Sequence, residues 1–471
     1  MSRRQAKRFL KKACIFAAVG MVIISSFLVF PGSFGPQMES TNTQRLQEKR
    51  QLKMETTQSS YNQESNSEEE NDDLGAFAAD DFFPPQKSHD ERCSRIRGEK
   101  LQFDEIVEGS FIYSAFLDYR FKDQTFIRMI SIFPSYSEPP QMYCHFMDLR
   151  TEEYFTSVVE IEELGTNDGF TFQGYLSSCD LPEEIDSYTL CSVNVSLEPE
   201  SFRQTDENTK QIPLHVSEDQ PMDTETYALC IPPISGEISA GRLVEFLELS
   251  EILGVSYFVF YDANLSDKTL KVLQYYNEIG AVTLNPWPLP QNIASNIQDG
   301  GQTVALNDCL YRNIDRFKYV AFNKLDEFIV PLQSKKTLDI FESQSDEDTA
   351  GICFQGFIFD TSTFEEKRSH TLLFTQRFTS RIKSPTEELA RCIVSPKYVF
   401  SLELNAISNP LETFYTTHHV DTSFGHVFRY GECNYAECKD SLQDLTMAKY
   451  REELEKRLNL TMIYLRQYQV V

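Results

Sequence analysis

The sequence predicts an α/β protein, with a mostly parallel sheet carrying helices on both faces and a smaller β-rich lobe before it. Three observations carry this. From Thr224 onward, continuously apolar runs of strand length alternate with amphipathic runs of helical length, as expected for strands covered on both faces by crossover helices. Between residues 100 and 222 the apolar runs are short, aromatic and β-branched, which reads as strand after strand. Residues 31–90 are rich in Gln, Ser and Glu and include the run Glu68-Glu-Glu-Asn-Asp-Asp73. They hold too little apolar surface to offset the entropy of ordering.

In chain order, residues 1–12 carry six positive charges and no acid, and Ala13 to Phe30 contains no charged residue. Eighteen helical residues span roughly 27 Å, enough for a thin bilayer core. The basic flank lies on the N-terminal side, so a cytosolic tail (1–12), an uncleaved transmembrane signal-anchor (13–30) and a lumenal remainder are expected. The alternative is a cleaved signal peptide, but Ser25-Ser-Phe-Leu-Val-Phe-Pro31 lacks a clean small-x-small cleavage site. Residues 31–99 then form a flexible acidic stem. Net charge is −27, or −33 once the six cations of the tail are set aside, which disfavours nucleic acid as a partner.

Ten of the eleven cysteines follow the apolar segment, none in a Cys-x-x-Cys pair. An even number in a lumenal domain predicts at least two disulfides of unassigned connectivity. Sequons at Asn194, Asn264 and Asn459 would be usable glycosylation sites in the lumen.

Within the β-rich lobe (100–222), Ser110–Leu117, Thr125–Phe133 and Tyr188–Ser196 read as strands, with turns at Pro139-Pro140 and Asn167-Asp-Gly169. In the second domain (223–471), the strand Tyr227–Ile231 stops at Pro232-Pro233. A helix from Ser239 to Leu253 follows, closed by Gly254. Its Glu245 and Glu248 are expected on a solvated face. Val255–Tyr261 is the next strand, with Asp262 at its end. Ser266 caps a helix that runs to Gly280, and Ala281–Leu284 is a third strand. Gly301–Arg312 is a helix feeding the strand that ends at Phe322.

That strand leads into Asn323-Lys-Leu-Asp-Glu-Phe-Ile-Val-Pro331. Acidic side chains at the open end of a buried strand are where α/β sheets place ligand chemistry. Asp262 occupies a comparable place, although a lone Asp after a strand is more often a turn cap.

Several blocks in order carry a resemblance. They are Cys230-Ile-Pro-Pro233, Leu243-Val-Glu-Phe-Leu-Glu248 with Leu253-Gly-Val255, Phe260-Tyr-Asp262, Gly301-Gln302 through Asp308-Cys309 and Arg312, and Val320 through Pro331. Together they resemble glycosyltransferase family 92, Golgi enzymes of GT-A type fold. The family motif is Asp-x-Asp-Glu-Phe; this chain has Lys324-Leu-Asp-Glu-Phe328, with Lys in place of the first acid. The resemblance implies a nucleotide-sugar site with Asp262, Lys324 and Asp326 as candidates. It also implies a divalent metal such as Mn2+ at Asp326, with His418 and His419 as further candidate ligands or else an exposed loop pair. Lys324 would partly replace the cation, repel it, or turn away. The family's closing His-Tyr-Arg is represented by Phe428-Arg-Tyr-Gly431. No general base is singled out.

The resemblance therefore implies an inverting type II Golgi glycosyltransferase moving galactose from UDP-galactose to glycoprotein glycans. The alternative is a catalytically silent relative that binds glycans or proteins in the lumen.

Overall fold

The computed structural model describes residues 101–147, 153–187, 190–200, 209–215, 227–362, 373–433, 440–467 and 470. The tail, the anchor, the stem, Cys93 and Cys438 lie outside these residues. Among the described residues no helix is long and apolar enough to cross a membrane.

Nine strands between Asp104 and His215 form one sheet. Its centre is the antiparallel run of Ser110–Asp118, Phe126–Pro134 and Phe172–Asp180, long β-branched and aromatic segments that suit a pleated, two-sided core. Asn167 closes one turn as expected: its side-chain oxygen accepts from the amides of Gly169 and Phe170. Gly169 has φ +90°, a conformation that favours glycine.

The second part is built on β1 (Tyr227–Cys230), α1 (Ala240–Ile252), β2 (Tyr257–Leu265), α2 (Asp267–Glu278), β3 (Val282–Pro286), α3 (Gln302–Arg312) and β4 (Tyr319–Phe322). β1 runs parallel to β2 and β4, and β3 parallel to β2. The chain continues through β5 (Glu327–Pro331), β6 (Thr349–Asp360), β7 (Thr386–Val394), β8 (Gly425–Gly431) and the closing helix α4 (Arg451–Gln467). β7 joins the parallel strands by pairing antiparallel with β4, and β8 pairs antiparallel with β5 and parallel with β6.

Alternation along the strands creates two faces. Leu229, Phe258, Phe260 and Ala321 pack with Leu243 and Phe246 of α1, Val272 and Tyr276 of α2, and Leu454 and Leu458 of α4. Ala228, Cys230, Val259, Tyr261 and Val320 face the other way, onto Val304, Leu306 and Leu310 of α3. Ser239 and Ser266 cap α1 and α2 through their side-chain oxygens, and Gly254, at φ +110°, follows α1.

The β-rich lobe covers α3. Phe111, Tyr113, Ile130 and Ile132 belong to the same buried cluster as Val304 and Leu310, while Ile112, Ala115, Ile127 and Met129 turn into a core of the lobe's own. Trp287 is wedged between Tyr113 and Tyr261, with ring centroids at 4.7 and 5.5 Å.

Three disulfides tie this framework together: Cys144–Cys179 in the lobe, Cys230–Cys309 from β1 to α3, and Cys353–Cys392 between directly paired residues of β6 and β7. Cys191 and Cys433 are also disulfide-bonded. The expected minimum of two bridges is met.

The solvated face expected for Glu245 and Glu248 is corrected by the structure, since both are buried. Glu245 accepts from the amides of Phe374 and Thr375 at 2.6 and 2.8 Å and from the Thr375 hydroxyl at 2.7 Å. Glu248 accepts from Tyr276 at 2.8 Å and Thr461 at 3.1 Å. Hydrogen bonds from distant elements compensate the desolvation that solvent exposure would have avoided.

Asp118 anchors the lobe to the second part. It holds Arg120 at 2.7 Å and Arg128 at 3.2 Å, and Arg120 donates to the carbonyls of Pro396 and Val399. Burial alone would raise the Asp118 pKa, but the hydrogen bonds and charges of Arg120 and Arg128 bring it below its ordinary value. A depressed carboxylate contributes stability above its unfolded pKa and loses it as pH falls through the folded value. Titration from pH 7 downward is therefore expected to loosen the lobe below about pH 4. Asp118→Asn should abolish that acid-dependent step in hydrogen exchange of residues 110–134, and an unchanged acid profile in the variant would refute the assignment.

Candidate functional site

β4 is wholly buried and delivers the chain to a tight turn, in which the Glu327 amide donates to the Lys324 carbonyl at 3.1 Å. Leu325 and Asp326 occupy the turn's centre. β8 fixes its far side, with Arg429 opposite Glu327 and the Tyr430 amide donating to the Asp326 carbonyl at 2.9 Å.

The two acids of the turn have different fates. Glu327 is 1% exposed and receives Arg391 of β7 through two bonds, Nε at 2.7 Å and Nη2 at 2.5 Å. Its Oε2 also accepts from the Lys324 amide at 2.9 Å. A bidentate guanidinium pair of this kind is a strong geometric lock, and it commits Glu327 to holding the turn. Asp326 is half-buried and meets Arg429 through one long contact of 3.4 Å. Burial, then the neighbouring Glu327 carboxylate, raise the Asp326 pKa, partly offset by Arg429. Lys324 is half-buried, and among the described residues its ammonium makes no ion pair.

Beside the turn lies a cavity of about 340 Å³ lined by Glu237, Ile238, Ser239, Arg242, Leu243 and Leu325. The Arg242 guanidinium carbon lies over the Phe374 ring, 3.7 Å from its centroid, a contact that suits a guanidinium. Glu237 is turned to Lys268 at 3.0 Å. Neither Arg242 nor its aromatic platform was singled out from the sequence. The platform is supplied by a segment 132 residues further on, and no local pattern announces it.

The remaining candidates lie elsewhere. Asp262 accepts from the amides of Asn264 and Leu265 at 2.9 and 2.7 Å, which is the turn-capping geometry. His418 and His419 lie on the strand Thr416–His419, paired with Ile352 and Cys353 of β6. His418 Nε2 is 3.0 Å from the Thr416 hydroxyl, and His419 is exposed. Of the sequons, Asn264 and Asn459 are exposed, whereas Asn194 is half-buried within a strand.

Among the described residues no group of three or more His, Cys, Asp or Glu side chains is arranged to hold a metal ion. Divalent cations such as Mn2+ take several oxygen or imidazole ligands. Here Glu327 is bound to Arg391, Asp326 faces Arg429, and Lys324 stands where the motif's first acid would be. The residues of this turn do not fit a divalent cation.

The glycosyltransferase family 92 model matches residues 225–462, the span from β1 through the turn to α4. This chain belongs to glycosyltransferase family 92. It is 24% identical over 382 residues to the Caenorhabditis elegans beta-1,4-galactosyltransferase galt-1, covering 76% of this chain and 82% of that one. It is 27% identical over 133 residues to the C. elegans glycosyltransferase family 92 protein F13G3.3, covering 26% of each chain. Among solved structures, Staphylococcus aureus TarS 1-349 aligns with 14% identity and a TM-score of 0.26, over 44% of this chain and 60% of that one. At that score the superposition adds nothing to the topology described above.

Proposed function

We propose that this family 92 glycosyltransferase is a type II Golgi membrane enzyme that transfers galactose from UDP-galactose, with inversion, to glycans on glycoproteins. The observation that carries the reading is the family match over residues 225–462, within which a charged turn at the end of β4 opens beside a cavity. The galactosyl donor is supported by similarity to a protein named as a galactosyltransferase. Residues 13–30, uncharged and preceded by six cations, support the membrane orientation.

In such a transfer the acceptor hydroxyl oxygen forms a bond to the anomeric carbon while the bond from that carbon to the diphosphate oxygen breaks. The hydroxyl proton passes to a carboxylate base, and UDP leaves as the anion. Positive side chains aimed at the diphosphate lower the barrier by stabilising charge as it develops. Lys324 and Arg429 are the cations of the turn available for that task.

The test is full-length protein in detergent, assayed for hydrolysis and transfer across a panel of UDP-sugars. UDP-galactose is expected to turn over fastest, and protease added outside intact Golgi vesicles should spare the chain beyond residue 100. Faster turnover of another UDP-sugar would overturn the donor, and cleavage of the protected domain would overturn the topology. The pairing of Asp326 with Arg429 favours a second reading, a silent binding relative, and absence of turnover with every sugar despite UDP binding would select it.

A further inference from the structure

We infer that the turn after β4 binds the donor's diphosphate directly, through Lys324 and Arg429 with Arg242 at the adjoining cavity, and does so without a divalent cation. The inference rests on the proposed use of a nucleotide sugar and adds how its anion is held.

The charges at the turn decide the sign of the ligand. Lys324, Arg391 and Arg429 bring three positive charges against the two carboxylates of Asp326 and Glu327. Glu327 is neutralised inside the protein by Arg391, with both side chains at most 2% exposed. That pairing leaves one carboxylate and two cations uncommitted among the charged residues of the turn and its β8 neighbour, an excess that repels a divalent metal and attracts a phosphate.

The geometry agrees. The Arg429–Asp326 contact is single, long and half-exposed, with side chains 38% and 27% accessible. It leaves most of the guanidinium donors open to a second anion. Arginine forks onto phosphate oxygens bidentately, and lysine meets them as a point charge. Asp326 thus positions Arg429 rather than serving as a metal ligand. In the cavity Arg242 is braced on Phe374, and the one carboxylate of the lining, Glu237, is paired with Lys268. Anion donors therefore continue from the turn into a space of about 340 Å³.

The experiment uses full-length protein in detergent and titrates UDP calorimetrically, once with EDTA and once with Mn2+, with uridine as the probe lacking phosphate. UDP is expected to bind in EDTA with an affinity within about twofold of that in Mn2+, and much more tightly than uridine. Lys324→Ala and Arg429→Gln should each weaken UDP about tenfold while leaving uridine binding and the unfolding midpoint unchanged. Lys324→Asp should make UDP binding depend on Mn2+. UDP binding only in the presence of Mn2+ would overturn the metal-free site while leaving the glycosyltransferase reading intact. Equal affinity for UDP in wild type and both single variants would overturn the assignment to these side chains. Absence of UDP binding in both buffers would overturn the inference together with the function it rests on.

Discussion

Replacing Arg391 with methionine is expected to destabilise the protein by about 3–5 kcal/mol. Arg391 sits on β7 and Glu327 opens β5, so their two hydrogen bonds join residues 64 positions apart in the chain at a place almost closed to water. Methionine fills much of the arginine's volume but leaves the Glu327 carboxylate buried with the Lys324 amide as its remaining donor. The cost is then the desolvation of an unpaired charge rather than the loss of two contacts. A double variant, Glu327→Leu with Arg391→Met, removes both charges and should recover much of the loss, because a buried ion pair gives little net stability over an apolar pair of similar size. Denaturant unfolding under non-reducing conditions, carried through the full cycle of wild type, two singles and double, measures the coupling. A loss under about 1 kcal/mol in Arg391→Met would mean that Glu327 has another route to compensation. The double variant also separates fold from function, since it keeps Lys324, Asp326 and Arg429 while relaxing the turn that presents them.

The fold was legible where local periodicity and end signals agree. The two faces of the parallel strands follow from side-chain alternation, and α1 and α2 begin at Ser239 and Ser266 as their capping side chains require. Asp262 shows the capping geometry that chemistry favours for a lone Asp after a strand. What could not be read depends on register between distant segments. Arg429 meets Asp326 because β8 lies against β5 with Arg429 opposite Glu327, and a slip of one residue would send it to the other face. Glu245 and Glu248 look like solvent-facing charge in the sequence; their partners at Thr375 and Thr461 lie 130 and 213 residues away. Disulfide connectivity was closed to sequence for the same reason, and Cys230–Cys309 emerges only once α3 is packed on β1. The candidate site was therefore half visible. Its turn was readable, while Arg242 and the commitment of Glu327 to Arg391 were not.

The remaining large effect lies at the seam between the lobe and the second part, where Asp308→Ala should cost about 3–5 kcal/mol. Asp308 is fully buried on α3, and three side chains converge on its two oxygens through four hydrogen bonds. Ser114 of the lobe donates to Oδ1 and Tyr261 of β2 to Oδ2, each at 2.5 Å, while Arg312 Nε reaches Oδ2 at 2.6 Å and Nη2 reaches Oδ1 at 3.0 Å. Arg312 in turn lies 3.4 Å from His215 Nδ1 of the lobe. One carboxylate thus satisfies a serine, a tyrosine and a guanidinium drawn from the lobe, the central sheet and the helix between them. Alanine would leave the guanidinium buried with little to balance its charge and deprive two hydroxyls of their acceptor, each a penalty in a medium of low dielectric. Asp308→Asn keeps the shape and one acceptor oxygen and should fall between wild type and alanine. Ser114→Ala, which removes one neutral donor, should cost only about 1 kcal/mol. Chemical denaturation ranks the three variants, and hydrogen exchange localises the damage. The expected result is early exchange in residues 110–118 and 302–312 together, because the same buried cluster holds both segments. Exchange that rises in α3 alone, with the lobe unchanged, would show that Asp308 stabilises its own helix and does not join the two parts.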